Sequence, residues 1–297
     1  MSFHTYLLSI CLTIGICRWG VAQPTPWIGQ FQHSIGYYNP AAAGSQSRLT
    51  ADALYRNQWT SYPGAPQQQL IAADGPLGKN IGIGGWVQRY TIGGYMDLQT
   101  TLNVSYRVPM KNGAYLQFGL NGAIKYTDVG LSNAFIWDPA DPTIQGYKQR
   151  GYVYKIGAGV WYKKNNTFLG LSCTDLFSFD PSKLFYDSQQ QSSTLSRNYY
   201  ALAGTKWYIT EYMALLPSVL YSYYTSGFQY AALNIGLEFN QTFTAGIGGN
   251  TNEALGLFTR ISVSPKFKIG YRYEYSFGAV QGSNFGTNEI QVSYGFH

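Results

Sequence analysis

Few side chains here are suited to chemistry, and the three histidines set the limit. His4 precedes the first apolar stretch, His33 precedes every patterned segment, and His297 is the last residue. Neither His33 nor His297 stands at a spacing from Cys, Asp or Glu that would build a zinc site. A Ser-His-Asp hydrolase needs a base held in place by its fold, and neither position offers one. No Walker-type phosphate loop is present. Gly82, Gly84 and Gly85 fall inside a predicted strand, where glycine gives curvature or lumen space. Asp138-Pro139-Ala140-Asp141 has the oxygen ligands for a cation, but Asp and Pro both favour turns, and a turn is the better reading. Cys11 and Cys17 sit in the N-terminal apolar run, which leaves Cys173 alone and unable to form an internal disulfide. A single thiol on a strand is read as packing. These residues point away from an enzyme, and no cofactor or metal is expected.

A second set of candidates is electrostatic. Asp52, Arg56, Arg107, Lys125, Lys155, Lys206, Glu238, Arg260, Lys268, Arg272, Glu274 and Glu289 all fall on one face of the strands predicted below. Both signs occur, and two readings fit. Salt bridges can hold a filled interior together, or a polar interior can accept a peptide or a solute.

The elements that position these charges are strands. Charged residues make up only 11% of the chain, well below the ~25% of an average soluble domain, while aromatics reach 17%, with 27 tyrosines and 34 glycines. Such a composition suits strands with one apolar face and one mostly uncharged polar face. The net charge of +6 fits a weakly basic interior and basic turns. No dense Lys/Arg block argues for nucleic acid.

Alternation at period two recurs throughout, as a membrane strand of ~9–11 residues requires. Leu98, Thr100, Leu102, Val104, Tyr106 and Val108 share one face, opposite Asp97, Gln99, Thr101, Asn103, Ser105 and Arg107. Phe267, Ile269, Tyr271, Tyr273 and Tyr275 oppose Lys268, Gly270, Arg272 and Glu274. A soluble sandwich also alternates. Long segments, charges at mid-strand and a closing alternating strand with Phe296 favour the membrane.

The pattern predicts an all-β, closed antiparallel transmembrane β-barrel of about fourteen strands. They are expected at 48–59, 67–74, 80–90, 96–109, 114–126, 152–163, 167–174, 199–209, 212–224, 228–239, 242–249, 254–263, 266–276 and 287–297. Short turns at 75–80, 110–113, 163–166, 210–211, 240–241 and 264–266 alternate with longer connections, notably 127–151, 175–198 and 277–286. That alternation puts short turns and both termini in the periplasm, with long loops outside. Tyr152, Tyr154, Tyr162, Tyr221 and Tyr223 are placed as interface anchors. Trp59 is expected on the face of Tyr55 at a strand end, in the same role.

Three segments divide the chain. Residues 1–22 read as a secretory signal peptide, with an apolar run from Tyr6 to Cys17 and small residues before Gln23. No run after it reaches the ~18 apolar residues of a membrane helix. Residues 23–47 read as a periplasmic leader, rich in small residues and without a core of its own, that lines or plugs the lumen or meets a periplasmic partner. Residues 48–297 form the barrel.

The leader and first strands also carry a specific pattern. Tyr38-Asn39-Pro40-Ala41-Ala42-Ala43-Gly44 precedes Tyr55-Arg56-Asn57-Gln58-Trp59, then Gly64-Ala65-Pro66 and Asp74-Gly75-Pro76-Leu77-Gly78. Lys268 to Tyr275 and Asn288 to Tyr294 complete it. The chain resembles the PorP/SprF family of Bacteroidetes outer-membrane proteins over residues 24–297. The resemblance implies a bacterial outer-membrane barrel, in contact with outer-membrane lipid, that serves type IX secretion and gliding motility. It implies as partners a secreted or surface protein with a gliding-type C-terminal domain and a peptidoglycan-linked periplasmic lipoprotein. Asn39, Pro40, Ala41, Gly44, Arg56, Asn57, Trp59, Asp74, Gly75 and Pro76 are the motif positions it marks for interaction. The alternative is a passive solute channel or small-molecule transporter, since fourteen strands can enclose a pore.

Overall fold

The computed structural model describes residues 27–130, 148–180, 197–252, 254–277 and 286–296. The expected signal peptide, Asp138–Asp141 and His297 lie outside them. The wall is antiparallel throughout: β1 Thr50–Asn57, β2 Gln67–Pro76, β3 Ile81–Ile92, β4 Tyr95–Pro109, β5 Ala114–Gly130, β6 Lys148–Lys164, β7 Thr167–Phe179, β8 Asn198–Gly204, β9 Trp207–Tyr208, β10 Met213–Tyr224, β11 Gln229–Phe239, β12 Phe243–Asn250, β13 Ala254–Ser262, β14 Phe267–Ser276 and β15 Thr287–Gly295. Each strand pairs with its neighbours in sequence except β8 and β9, which both pair with β10, and β1 pairs with β15 from Thr50↔Gly295 to Asn57↔Asn288, which closes the cylinder. Closure leaves no unpaired edge for lipid to meet.

β8 and β9 share one position in the wall, both pairing with β10, so the barrel is fourteen-stranded. Pro217 on β10 causes the break. It has no N–H to give the ladder, and Thr205 N–H donates to its carbonyl at 3.1 Å across the gap.

Outward side chains are apolar. Ile71, Leu102, Leu120 and Leu257 are each at least 64% exposed, the surface lipid would cover. Tyr152, Tyr154, Tyr221 and Tyr223 are exposed on the same outer face, toward one rim. Alternating with them, Gln68, Gln88, Thr101, Asn103, Gln117, Asn121 and Gln291 are buried.

One end of the barrel carries short turns, at 77–80, 110–113, 165–166, 209–212, 240–242 and 263–266; β1 begins and β15 ends there. It is called the turn end. The other, the loop end, carries 58–66, 131–147, 180–197 and 277–286, but also the short 93–94, 225–228 and 251–253. Strict short/long alternation therefore fails at these three hairpins. Gly93 and Gly227, both at positive φ, let two of them turn tightly.

Two more expectations are corrected. β5, β6 and β7 run several residues into segments read as loops. Asp128 and Arg150, in the connection expected at 127–151, instead face each other across β5 and β6 and ion-pair at 3.0 Å. Trp59 does not continue β1, which ends at Asn57; it sits in the following turn at φ 50°, its N–H donating to Thr287 Oγ1 at 3.2 Å.

Candidate functional site

The segment from Trp27 to Gly44 lies against the inward faces of the wall. It holds a turn of 3-10 helix at Phe31–His33, one α-turn at Ile35–Tyr38 and a second 3-10 turn at Pro40–Ala42. Ile28, Gln30, Asn39, Ala41 and Ala43 are each 0% exposed. The small-residue reading of this segment missed its large side chains. Trp27, Phe31, Tyr37 and Tyr38 pack with inward-facing Leu54, Leu70, Trp86, Tyr200, Leu220 and Tyr230 into one apolar cluster. Trp27 stacks on Tyr230 at 5.0 Å and Tyr37 meets Trp86 at 4.8 Å between ring centroids. The signal was present: Leu54, Leu70 and Trp86 interrupt the polar face of their strands, where a water-filled lumen would want polar groups.

The small residues do a different job. Asn39 caps the turn at Pro40, its Oδ1 accepting from Ala41 N–H at 2.9 Å. Its Nδ2 donates to the carbonyls of Val160 at 3.0 Å and Leu171 at 3.3 Å. Ala43 O accepts from Ser105 Oγ at 2.7 Å and Gln117 Nε2 at 3.3 Å. Ser172 Oγ donates to Tyr38 O at 2.6 Å. The wall answers with glycines. A Cβ on Gly119 would stand 2.3 Å from Ala41 N, and one on Gly159 2.2 Å from Asn39 Oδ1. Gly44, at φ 64°, turns the chain toward β1, and its N–H donates to Asp74 Oδ2 at 2.9 Å while Arg107 Nη2 donates to its carbonyl at 2.8 Å. Gly75 packs against Gly44 and Leu49, and Pro76 closes β2 in the register Pro76↔Gly82. Asn39, Pro40, Ala41, Gly44, Asp74 and Gly75 thus form one contact region. Arg56 is in another, Asn57 ends β1 opposite Asn288, and Trp59 stands apart.

Arg56 belongs to a buried charge cluster in the loop half of the lumen. Its guanidinium bridges Glu274 and Glu289, with Nη1 donating to Glu289 Oε2 at 2.9 Å. Arg272 Nε donates to Glu274 Oε1 at 2.6 Å and Nη1 to Asn234 Oδ1 at 2.9 Å. Two cations face two carboxylates, all 0–3% exposed. Glu289 also accepts the backbone N–H groups of Gly29 at 2.7 Å and Gln30 at 2.9 Å, while Asn234 Nδ2 donates to Gly29 O at 2.8 Å. The cluster therefore grips the backbone of the inner segment as well as balancing itself. Two more pairs lie in this half: Lys125 with Asp97 at 2.6 Å and Lys155 with Asp175 at 2.8 Å. Asp97 and Asp175 were not among the expected lumen charges. A bulge in β7, where the pairing steps from Ile156↔Phe177 to Ala158↔Cys173, turns Asp175 inward.

The turn half is different. Lys206 pairs with Glu238. Asp52 accepts from Ser293, which also accepts from Arg260 Nη2 at 2.7 Å. Among the described residues Arg48, Arg107, Lys163, Arg260, Lys266 and Lys268 form no ion pair. A cavity of about 370 Å³ opens here beneath the inner segment. No cluster of His, Cys, Asp and Glu able to hold a metal occurs among the described residues, and no helix among them is long and apolar enough to cross a membrane.

Comparison with known proteins gives a family and a set of shapes. The family described as type IX secretion system membrane protein PorP/SprF matches residues 20–294. No curated protein matches. Among solved structures, the chain is similar to the Acinetobacter baumannii outer membrane protein Omp33, at 10% identity and TM-score 0.47 over 85% of this chain and 100% of that one. It is similar to the CymD monoaromatic hydrocarbon channel at 12% identity and TM-score 0.48, over 94% and 95%. The KdgM porin matches at 9% identity and TM-score 0.42, over 84% and 99%.

Proposed function

The chain belongs to the type IX secretion system membrane protein PorP/SprF family, and from that premise we propose that it is an outer-membrane accessory barrel that aids secretion or surface retention of a partner protein. In this reading the turn end faces the periplasm and the loops face outward. The partner is a large secreted or surface protein with a gliding-type C-terminal domain, and the turn end meets a peptidoglycan-linked lipoprotein. Residues 1–22 act as the export signal and are removed. The barrel has no catalytic task.

The observation that carries this reading is the filled lumen. Segment Trp27–Gly44 is hydrogen-bonded to β4, β5, β6, β7, β11 and β15 and shares a core with the wall. A passive channel wants an open path, whereas a barrel whose interior is occupied by its own chain is built to present surfaces. Deletion of the gene in its host, followed by comparison of surface and medium proteomes, tests the proposal. Selective loss or mislocalisation of a protein with a gliding-type C-terminal domain is expected. An unchanged secretome with normal surface display would overturn it, and steady single-channel conductance of the intact protein would support the solute-channel alternative instead.

A further inference from the structure

The turn-end cavity has properties the filled lumen does not explain. It is lined by Gln46 and Gln241, both exposed on that rim, so it is open from the turn end. Five cationic residues line it, Arg48, Lys163, Arg260, Lys266 and Lys268, against three carboxylates. The carboxylates are engaged elsewhere: Asp74 by Gly44 and Thr50, Glu238 by Lys206, Asp52 by Ser293. The cations are left without ion pairs among the described residues. Grouping like charges in a partly enclosed space costs free energy unless an anion offsets it.

The deeper lining is of another kind. Leu70, Trp86, Trp161 and Phe168 form an apolar floor. Trp161 is 1% exposed, and its indole N–H has no hydrogen-bond partner among the described residues. A volume of about 370 Å³ lies in the range of ligand pockets, about 300–1,000 Å³. It is far larger than the ~30 Å³ share of one water, and so than an inorganic ion needs. Cations around an apolar floor call for a ligand that carries carboxylates and apolar side chains together. Exposed Lys79 and Lys111 on the neighbouring turns extend the positive field outward.

We infer that this cavity is a binding site for an acidic polypeptide segment, whose carboxylates meet Lys163, Arg260 and Lys268 and whose apolar side chains rest on Trp86 and Phe168. The proposed secretory role bears only on which compartment supplies the peptide; the site itself is testable on purified barrel, so either can fail without the other.

Isothermal titration of the full chain in neutral detergent decides the matter. The probes are a short synthetic peptide alternating Glu and Phe, its Gln/Phe counterpart, and inorganic phosphate. The Glu/Phe peptide is expected to bind with an affinity that falls as salt is raised. The Gln/Phe peptide should bind on the order of tenfold more weakly, a difference of about 1.4 kcal/mol. The double variant Lys163→Gln/Lys268→Gln should weaken the acidic peptide by a similar factor, and the rim variant Lys79→Gln/Lys111→Gln should leave most of the affinity in place. Unchanged heat-modified gel mobility shows that each variant folds. Equal binding of the two peptides, no binding at all, phosphate binding as tightly as the peptide, or an effect confined to the rim variant would each overturn the inference.

Discussion

The two halves of the lumen are built from the same residue types and use them differently, with one ion pair in the turn half, Lys206 with Glu238, beside several cations that have none among the described residues. Toward the loop end, Arg56, Arg272, Lys125 and Lys155 all meet carboxylates, and Glu289 spends part of its capacity on backbone N–H groups of the inner segment. Toward the turn end, Lys163 and Lys268 face a cavity with no ion-pair partner among the described residues. Paired buried charges fix one arrangement of the chain, because removing either member strands the other. Unpaired charges beside a cavity contribute nothing of that kind and keep their field available. Both halves hold the inner segment, the turn half by Ser105, Gln117 and Arg107 at Ala43 and Gly44, but only the turn half leaves cations to spare.

The largest test of this contrast is excision of residues 27–44. With the segment gone, single-channel conductance should rise on the order of tenfold, since a fourteen-stranded wall encloses a wide lumen. An unchanged conductance would mean that the segment does not block the path. Next is Glu289→Ala, which strands Arg56 with one carboxylate and orphans two N–H groups. It should cost about 3–5 kcal/mol, read as loss of amide-exchange protection across Phe31–Tyr38 while the wall strands stay protected. Gly44→Ala should cost less, about 1–3 kcal/mol for a strained backbone; its Cβ would lie 2.6 Å from Gly82 Cα at φ 64°. The midpoint of the heat-induced gel shift should fall accordingly. Smallest is the double change of Lys163 and Lys268 to Gln, which removes two like charges from the cavity and should leave that midpoint unchanged or raise it slightly, by about 0.5 kcal/mol equivalent. A loss comparable to that of Glu289→Ala would erase the distinction between the halves.

The sequence showed the wall well and its contents poorly. Alternation at period two reports which face of a strand is apolar, and the fourteen wall positions and the outer tyrosines were legible from it; it also puts Arg56, Arg272, Glu274 and Glu289 on the polar face of their strands. Trp59 was misplaced because a backbone at positive φ leaves no trace in a hydropathy pattern. Asp175 was missed because it fell in the connection expected at 175–198, whereas β7 runs on to Phe179 and its bulge turns that one residue inward. The interior core escaped for a deeper reason. Leu54, Leu70 and Trp86 break the polar face only where Ile28, Phe31 and Tyr37 come to meet them, and that meeting joins positions far apart in sequence. Gly119 and Gly159 are silent by the same argument: each is needed for the closeness of Ala41 or Asn39, not for its own strand.

The clamp on Gly29 also has a history in time. Gly29 and Glu289 are separated by 260 residues, and Glu289 lies on the last strand, which itself pairs with the first. Contacts of the inner segment with β4 and β5 can form once the early hairpins exist, but its bonds to β15 await the end of the chain. Long-range closure of this kind is slow, since the entropy of ordering the chain is lost before any contact offsets it. Sealing the wall is therefore what completes the filling: the bond between Gly29 and Glu289 can exist only once β15 is in place beside β1.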